Sequence, residues 1–213
     1  MAELIEDGPT SPDVQITKTT LQAVVTECQK GDVVALAIDA QLTFSISREN
    51  GFRASDENLR EMLPSDFRNR VASYNSLMAV PLRGTALAAA ASPFVGTIIE
   101  THPTACLALE FADADARRWV TDYKSPKPRE GQDQMEWLAV SSNACQSLWD
   151  RWLERFRLRS SRRGAQEDGP VDALVTATVA WLYHRAPERL QRLAVGESDE
   201  VGRGPFWVIQ PAG

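Results

Sequence analysis

The chain is poor in the residues that most often announce chemistry: only three of its 213 residues are cysteine and two are histidine. Cys28, Cys106 and Cys145 are odd in number, far apart and outside any C-x-x-C pair, which excludes a disulfide framework and a zinc site of ordinary spacing. No apolar run approaches the roughly 20 residues a membrane helix needs. The opening MAELIEDGP lacks the basic stretch and apolar run of a secretory signal. The cytoplasm is therefore the expected compartment, with no membrane partner. Also missing are a phosphate-binding G-x-x-x-x-G-K-S/T loop, a dinucleotide fingerprint, a G-x-S-x-G elbow and an H-E-x-x-H pair. Neither repeats nor heptads occur, and the alanine-rich stretch 86–91 reads as helix.

Hydrophobic residues make up 43%, charged residues 24%, and Gly and Pro number 12 each, which excludes disordered and collagenous chains. The length suits one domain, 1–213, with a sizeable core. The 29 acids outnumber the 23 Lys and Arg, for a net charge of -6. That balance argues against indiscriminate coating of nucleic acid but leaves room for a local basic face or an acidic metal-binding cleft. The sequence specifies no oligomeric state.

Strand-like and helical segments alternate, predicting an α/β fold. After a short β-type stretch at 14–17, Leu21, Val24, Val25 and Cys28 fall at helical spacing, and Gly31 stops the helix. The run VVALAI at 33–38 has the length and apolarity of a strand covered on both faces, and Asp39 ends it. A polar loop at 41–55 follows, then helices at 56–63, at 65–78, and from Pro81 through Ala91. A second buried-type strand at 95–101 carries Glu100 near its end. A helical segment at about 104–160 follows, interrupted by a Pro-containing loop at 124–131. The chain closes with a flexible connection at 160–169, a helix at 170–185 with Pro170 and Asp172 in its first turn, and a short strand at 206–209.

Three acids stand out by position: Asp39 and Glu100 at strand ends, and Asp172 near the start of an apolar helix. Neighbouring parallel strands lie about 4.8 Å apart, so acids at their ends can meet, and a helix crossing that edge can supply a third. Such a cluster would hold Mg²⁺ or Mn²⁺ through hard oxygen ligands, and two ions would suit phosphodiester hydrolysis. The plainer reading is that each acid only terminates its element, Asp172 being favoured there by the helix dipole. His102 follows Glu100 by two residues and is a candidate metal ligand or general base, or a structural hydrogen-bonder. Arg48 and Arg53, in the loop after Asp39, and Lys124 are candidate contacts to an anionic substrate. His184 is accounted for by the C-terminal end of its helix. The basic run of Arg151, Arg155, Arg157, Arg159, Arg162 and Arg163, interleaved with Trp149, Trp152 and Phe156, admits nucleic-acid binding. At helical spacing, however, Trp152 and Phe156 share one face and read as core.

The blocks AIDAQLTF at 37–44, RENGFRASDENLR at 48–60, IIETHP at 98–103, YK at 123–124, VDALVTATVAWLY at 171–183 and FWVIQP at 206–211, in this order, resemble a bacterial and archaeal domain-of-unknown-function family of predicted nucleases with a ribonuclease H-like fold. The resemblance implies a mixed sheet flanked by helices and a metal-dependent nuclease in which Asp39, Glu100 and Asp172 gather Mg²⁺ or Mn²⁺, with nucleic acid as partner. Gln41 stands where the family usually has Pro. The family also begins with a strand carrying a G-x-D acid, and Ala2 to Ile5 align better with its second strand. The expectation is a sheet lacking the first family strand, with one ligand fewer and two unpaired strand edges. An in-frame G-x-D strand encoded just upstream of Met1 would mark a start site assigned too late. Without that ligand, a non-catalytic or catalytically impaired binding protein of the same fold is the alternative.

Overall fold

The computed structural model describes residues 1–5, 11–77, 79–124, 128, 130–131, 133–193, 200–202 and 204–211. The chain runs β1 (Ala2–Ile5), β2 (Asp13–Ile16), α1 (Leu21–Gln29), β3 (Ala35–Ile38), β4 (Thr43–Ser45), α2 (Ala54–Met62), α3 (Tyr74–Leu77), α4 (Ala79–Ala91) and β5 (Thr97–Glu100). It continues through α5 (Pro103–Glu110), α6 (Ala114–Asp122), α7 (Gln134–Phe156), β6 (Arg159–Ser160), α8 (Asp168–Arg185), β7 (Leu190–Arg192), β8 (Glu200–Gly202) and β9 (Trp207–Ile209). This is a mixed α/β architecture of small sheets and many helices. No helix among the described residues is long and apolar enough to cross a membrane.

The strand pair that matters for the site is β3 and β5, which run parallel with Ile38 opposite Glu100. Their connection is the right length for helices because parallel neighbours need a crossover. Glu100 is bridged in turn to Phe206, and β9 pairs antiparallel with β7. Elsewhere β1 pairs antiparallel with β2, β2 runs parallel to β6, and β4 pairs with β8. Helix α8 packs against both β1 and β3. Among the described residues β1 pairs only with β2 and β3 only with β5, so each keeps one unpaired edge.

Local chemistry explains where the helices start. Thr20, Asp113 and Asp133 each accept a backbone N–H from the first turn of α1, α6 and α7, while Asp56 accepts the Arg53 N–H at the head of α2. Pro103 occupies the first turn of α5, where its missing N–H costs nothing. Two hydrophobic cores result. The larger joins α5, α6, α7 and α8 around Trp149 and Trp152, whose indole Nε1 donates to Thr178 Oγ1 at 2.9 Å. The smaller is built on Val24 and Cys28 of α1, Ile38 of β3, and Leu87 and Ala91 of α4. All three cysteines are buried and unlinked.

Three features depart from the sequence pattern. The predicted helix at 65–78 is a tight 3₁₀ turn at Ser65–Arg70, an extended stretch and then the short α3. The Arg70 and Ala72 carbonyls are taken by the side chains of His102 and Gln41 instead of by helical N–H groups, so the helix cannot run through them. The strand expected at 33–38 begins at Ala35, and Val34 is 60% exposed, so cover is incomplete. The polar loop at 41–55 contains β4. Half of the expected loop at 124–131, residues 125–127 and 129, lies outside the described residues.

A candidate anion and metal site

One cavity of about 730 Å³ opens at the C-terminal ends of β3 and β5, under the first turn of α8. Its floor carries Asp39 from the end of β3, Asp168 from α8 and Lys124, just after α6; Asp172, one turn further along α8, does not line the cavity and joins the group through its ion pair with Lys124. Packing of α8 on β3 brings these elements together, because the apolar face of α8 buries Val171, Leu174 and Val175.

Both carboxylate oxygens of Asp172 are engaged. Lys124 Nζ lies 2.7 Å from Oδ2, and the Tyr123 hydroxyl, itself 2.6 Å from Thr104 Oγ1, donates to Oδ1 at 3.1 Å. The Arg70 guanidinium donates to the Thr121 and Lys124 carbonyls and so fixes the turn that presents Lys124. Burial pushes the Asp172 carboxyl up to about 6; Lys124 pulls against that rise and Asp39 adds to it. Asp39 is raised for the same reason, with Lys124 opposing and Asp168 reinforcing, although its side chain remains open to solvent. Burial works against the Lys124 charge, but Asp172 and Asp39 hold the ammonium above its ordinary value. Asp39 and Asp172 thus repel each other, and the charge of Lys124 offsets that repulsion.

The remaining expected residues are placed differently. Glu100 is 2% exposed and does not join Asp39 and Asp172: its oxygens accept from Arg53 Nη1 and Nη2 at 2.8 and 2.5 Å and from the Leu42 N–H at 2.8 Å. Arg53, expected to grip phosphate, is fully buried; its other donors go to Asp56 and Thr43, and its guanidinium lies over the Phe206 ring. Burial raises the Glu100 carboxyl while Arg53 and the Leu42 N–H pull it back. Burial alone would lower Arg53, but Glu100 and Asp56 more than offset it and hold the guanidinium above its ordinary value. Arg48 is ion-paired with Glu57.

His102 lines the cavity, yet both its ring nitrogens are committed. Nδ1 accepts the Ala105 N–H as the cap of α5, and Nε2 lies 3.2 Å from the Arg70 carbonyl, to which it donates. Burial, then Lys124, hold its pKa below the ordinary value, so the ring is neutral. In the basic run, Arg151 pairs with Asp113, Arg155 with Glu110 and Arg159 with Asp13, while Trp149, Trp152 and Phe156 are core.

Sequence reasoning missed Asp168, Tyr123, Arg70, Gln41 and Trp137 as parts of this cavity. Asp168 was detectable, since it lies four residues before Asp172 and therefore on the same helix face. The others join through tertiary contacts that no local spacing encodes. Among the described residues no group of three or more His, Cys, Asp or Glu side chains converges to hold an ion. An ion such as Mg²⁺ or Mn²⁺ needs only one or two carboxylates with water and substrate phosphate completing its shell, and Asp39 with Asp172 would be those carboxylates once Lys124 releases the Asp172 oxygen it now pairs with. No family model, no curated protein and no solved structure matches the chain.

Proposed function

We propose that the protein is a metal-dependent nuclease of ribonuclease H-like architecture that hydrolyses phosphodiester bonds in nucleic acid within the cytoplasm. The observation that carries this reading is that Asp39, from a strand end, and Lys124 share the floor of one cavity, while Asp172, from the crossing helix, ion-pairs with Lys124 close enough to Asp39 for the two carboxylates to repel each other. Asp39 and Asp172 would hold Mg²⁺ or Mn²⁺, which when bound polarises a phosphoryl oxygen and lowers the pKa of water. The chain's own groups do the rest. Lys124 exchanges its partner Asp172 for a phosphate oxygen and offsets the charge that builds there. Tyr123, anchored by Thr104, holds the Asp172 carboxylate in place beside Lys124. The Arg53–Glu100–Asp56 network fixes the ends of β3 and β5, and so the position of Asp39. The three buried free cysteines suit a reducing compartment.

A second reading, a binding protein of the same fold without turnover, is favoured by two observations. Glu100 is committed to Arg53, and Lys124 occupies an Asp172 oxygen. The two readings separate on incubating single-stranded RNA, single-stranded DNA, duplex and branched DNA with Mg²⁺ or Mn²⁺. Cleavage lost in both Asp39→Asn and Asp172→Asn supports hydrolysis at this site. Cleavage that persists in both removes the assignment, and binding without cleavage by the wild type leaves the second reading.

A further inference from the structure

We propose that the wall of this cavity is a nucleobase subsite in which the base packs on the Val80 and Leu138 side chains while its edge bonds to Trp137 Nε1 and Gln41 Oε1. The inference rests on the phosphodiester reading for the class of ligand. It is carried by two orphaned polar atoms and an apolar lip. Gln41 is 7% exposed, and its Nε2 donates to both oxygens of Asp56 and to the Ala72 carbonyl. Turning the amide over would set its oxygen against a carboxylate and a carbonyl, so Oε1 is the atom left over. Oε1 is buried and has no partner among the described residues, and the same holds for Trp137 Nε1. Both side chains line the cavity.

A buried acceptor and a buried donor left unpaired cost free energy until something supplies the complementary groups. The two atoms are one acceptor and one donor, and the Watson–Crick edge of every nucleobase offers a donor beside an acceptor. The surroundings match the rest of a base. Val80 from α4 and Leu138 from α7 line the same cavity while 46% and 44% exposed, and Leu77 lies beside them. Large apolar side chains kept in water at a cavity lip are suited to covering the face of a flat heteroaromatic ring, while Trp137 offers its indole N–H to the edge. A sugar phosphate alone would use Lys124 and leave this wall unused. The geometry therefore puts the phosphate on the acid and lysine floor and the attached base against α7.

Calorimetry in EDTA, where no turnover occurs, tests the subsite by comparing uridine and adenosine 5′-monophosphates with ribose 5-phosphate. The expected result is nucleotide binding at least about tenfold tighter than ribose 5-phosphate. Trp137→Ala should erase that preference and leave ribose 5-phosphate binding unchanged, and Trp137→Phe should lose most of it because the indole N–H is gone. Equal affinity of nucleotide and ribose 5-phosphate for the wild type overturns the proposal, as does a folded Trp137→Ala protein that retains the preference. If Trp137→Ala loses cooperative melting, Leu138→Ala carries the comparison: a reduced preference supports the subsite and an unchanged one overturns it. Nucleotide preference without any cleavage keeps the subsite and removes the hydrolytic reading; cleavage without base preference does the reverse.

Discussion

Glu100→Gln tests whether that carboxylate is a structural counter-charge or a ligand. In the native protein its two oxygens accept three N–H groups, two from the Arg53 guanidinium and one from Leu42, in a setting that is 2% exposed. An amide has one acceptor oxygen, so either orientation turns its NH₂ toward a donor. Arg53 keeps Asp56, to which Nε and Nη2 donate at 3.0 and 2.7 Å, and is not left wholly unpaired. Breaking a buried pair costs about 3–5 kcal/mol, and the remaining partner places this variant at the lower end, about 3 kcal/mol. With a urea m value of about 2 kcal/mol/M, the unfolding midpoint should fall by about 1.5 M. Asp39→Asn, altering a solvent-open acid, should move it by less than about 0.5 M. Urea melts followed by tryptophan fluorescence and circular dichroism read both. A Glu100→Gln midpoint within about 0.3 M of the wild type would refute the structural role and restore Glu100 as a candidate ligand.

The elevated Asp172 carboxyl gives stability a definite pH slope. The folded state holds that proton more tightly than the unfolded chain, so this group's contribution is complete below about pH 4 and is lost as pH rises through about 6; the rise from 3.8 to about 6 amounts to about 3 kcal/mol. The difference in unfolding free energy between wild type and Asp172→Asn should change by about that much between pH 4 and 7, and a flat difference would contradict it. His102→Asn keeps a capping oxygen for α5 and should leave the nuclease rate within about threefold of wild type, whereas a loss of a hundredfold would mark the ring as a proton carrier. Thr178→Val strands the buried Trp152 N–H and should cost about 1–3 kcal/mol in denaturant melts, with no change in ligand binding. Lys124→Ala should weaken ribose 5-phosphate binding at least about tenfold; unchanged binding would remove Lys124 from the anion site.

What the residue pattern revealed was decided by periodicity and by element ends. The amphipathic spacing of Leu148, Trp152 and Phe156 located α7, and the apolar runs before Asp39 and Glu100 located β3 and β5. Strands of two or three residues, such as β4, β6 and β7, carry too few side chains to show a period. The site was legible as acids at element ends, and two of those acids do come near Lys124, Asp172 as its ion-pair partner and Asp39 on the same cavity lining. The third did not, because nothing local in IIETHP announces that an arginine 47 residues earlier will be buried against Glu100. Burial turned Arg53 from a candidate phosphate grip into a strut. His102 had the residue type and neighbourhood of a catalyst, but the Pro103 that follows it marks a helix start, and capping took its nitrogen.

The account depends most directly on Asp39 and Asp172 forming a carboxylate pair able to hold a divalent cation. Calorimetric titration of Mn²⁺ into the wild type, Asp39→Asn, Asp172→Asn and Glu100→Gln at pH 7.5 measures it. The account predicts one site in the wild type, its affinity reduced at least about thirtyfold by either aspartate change and retained in folded Glu100→Gln. No Mn²⁺ binding by the wild type, or binding unaffected by both aspartate changes, would contradict it.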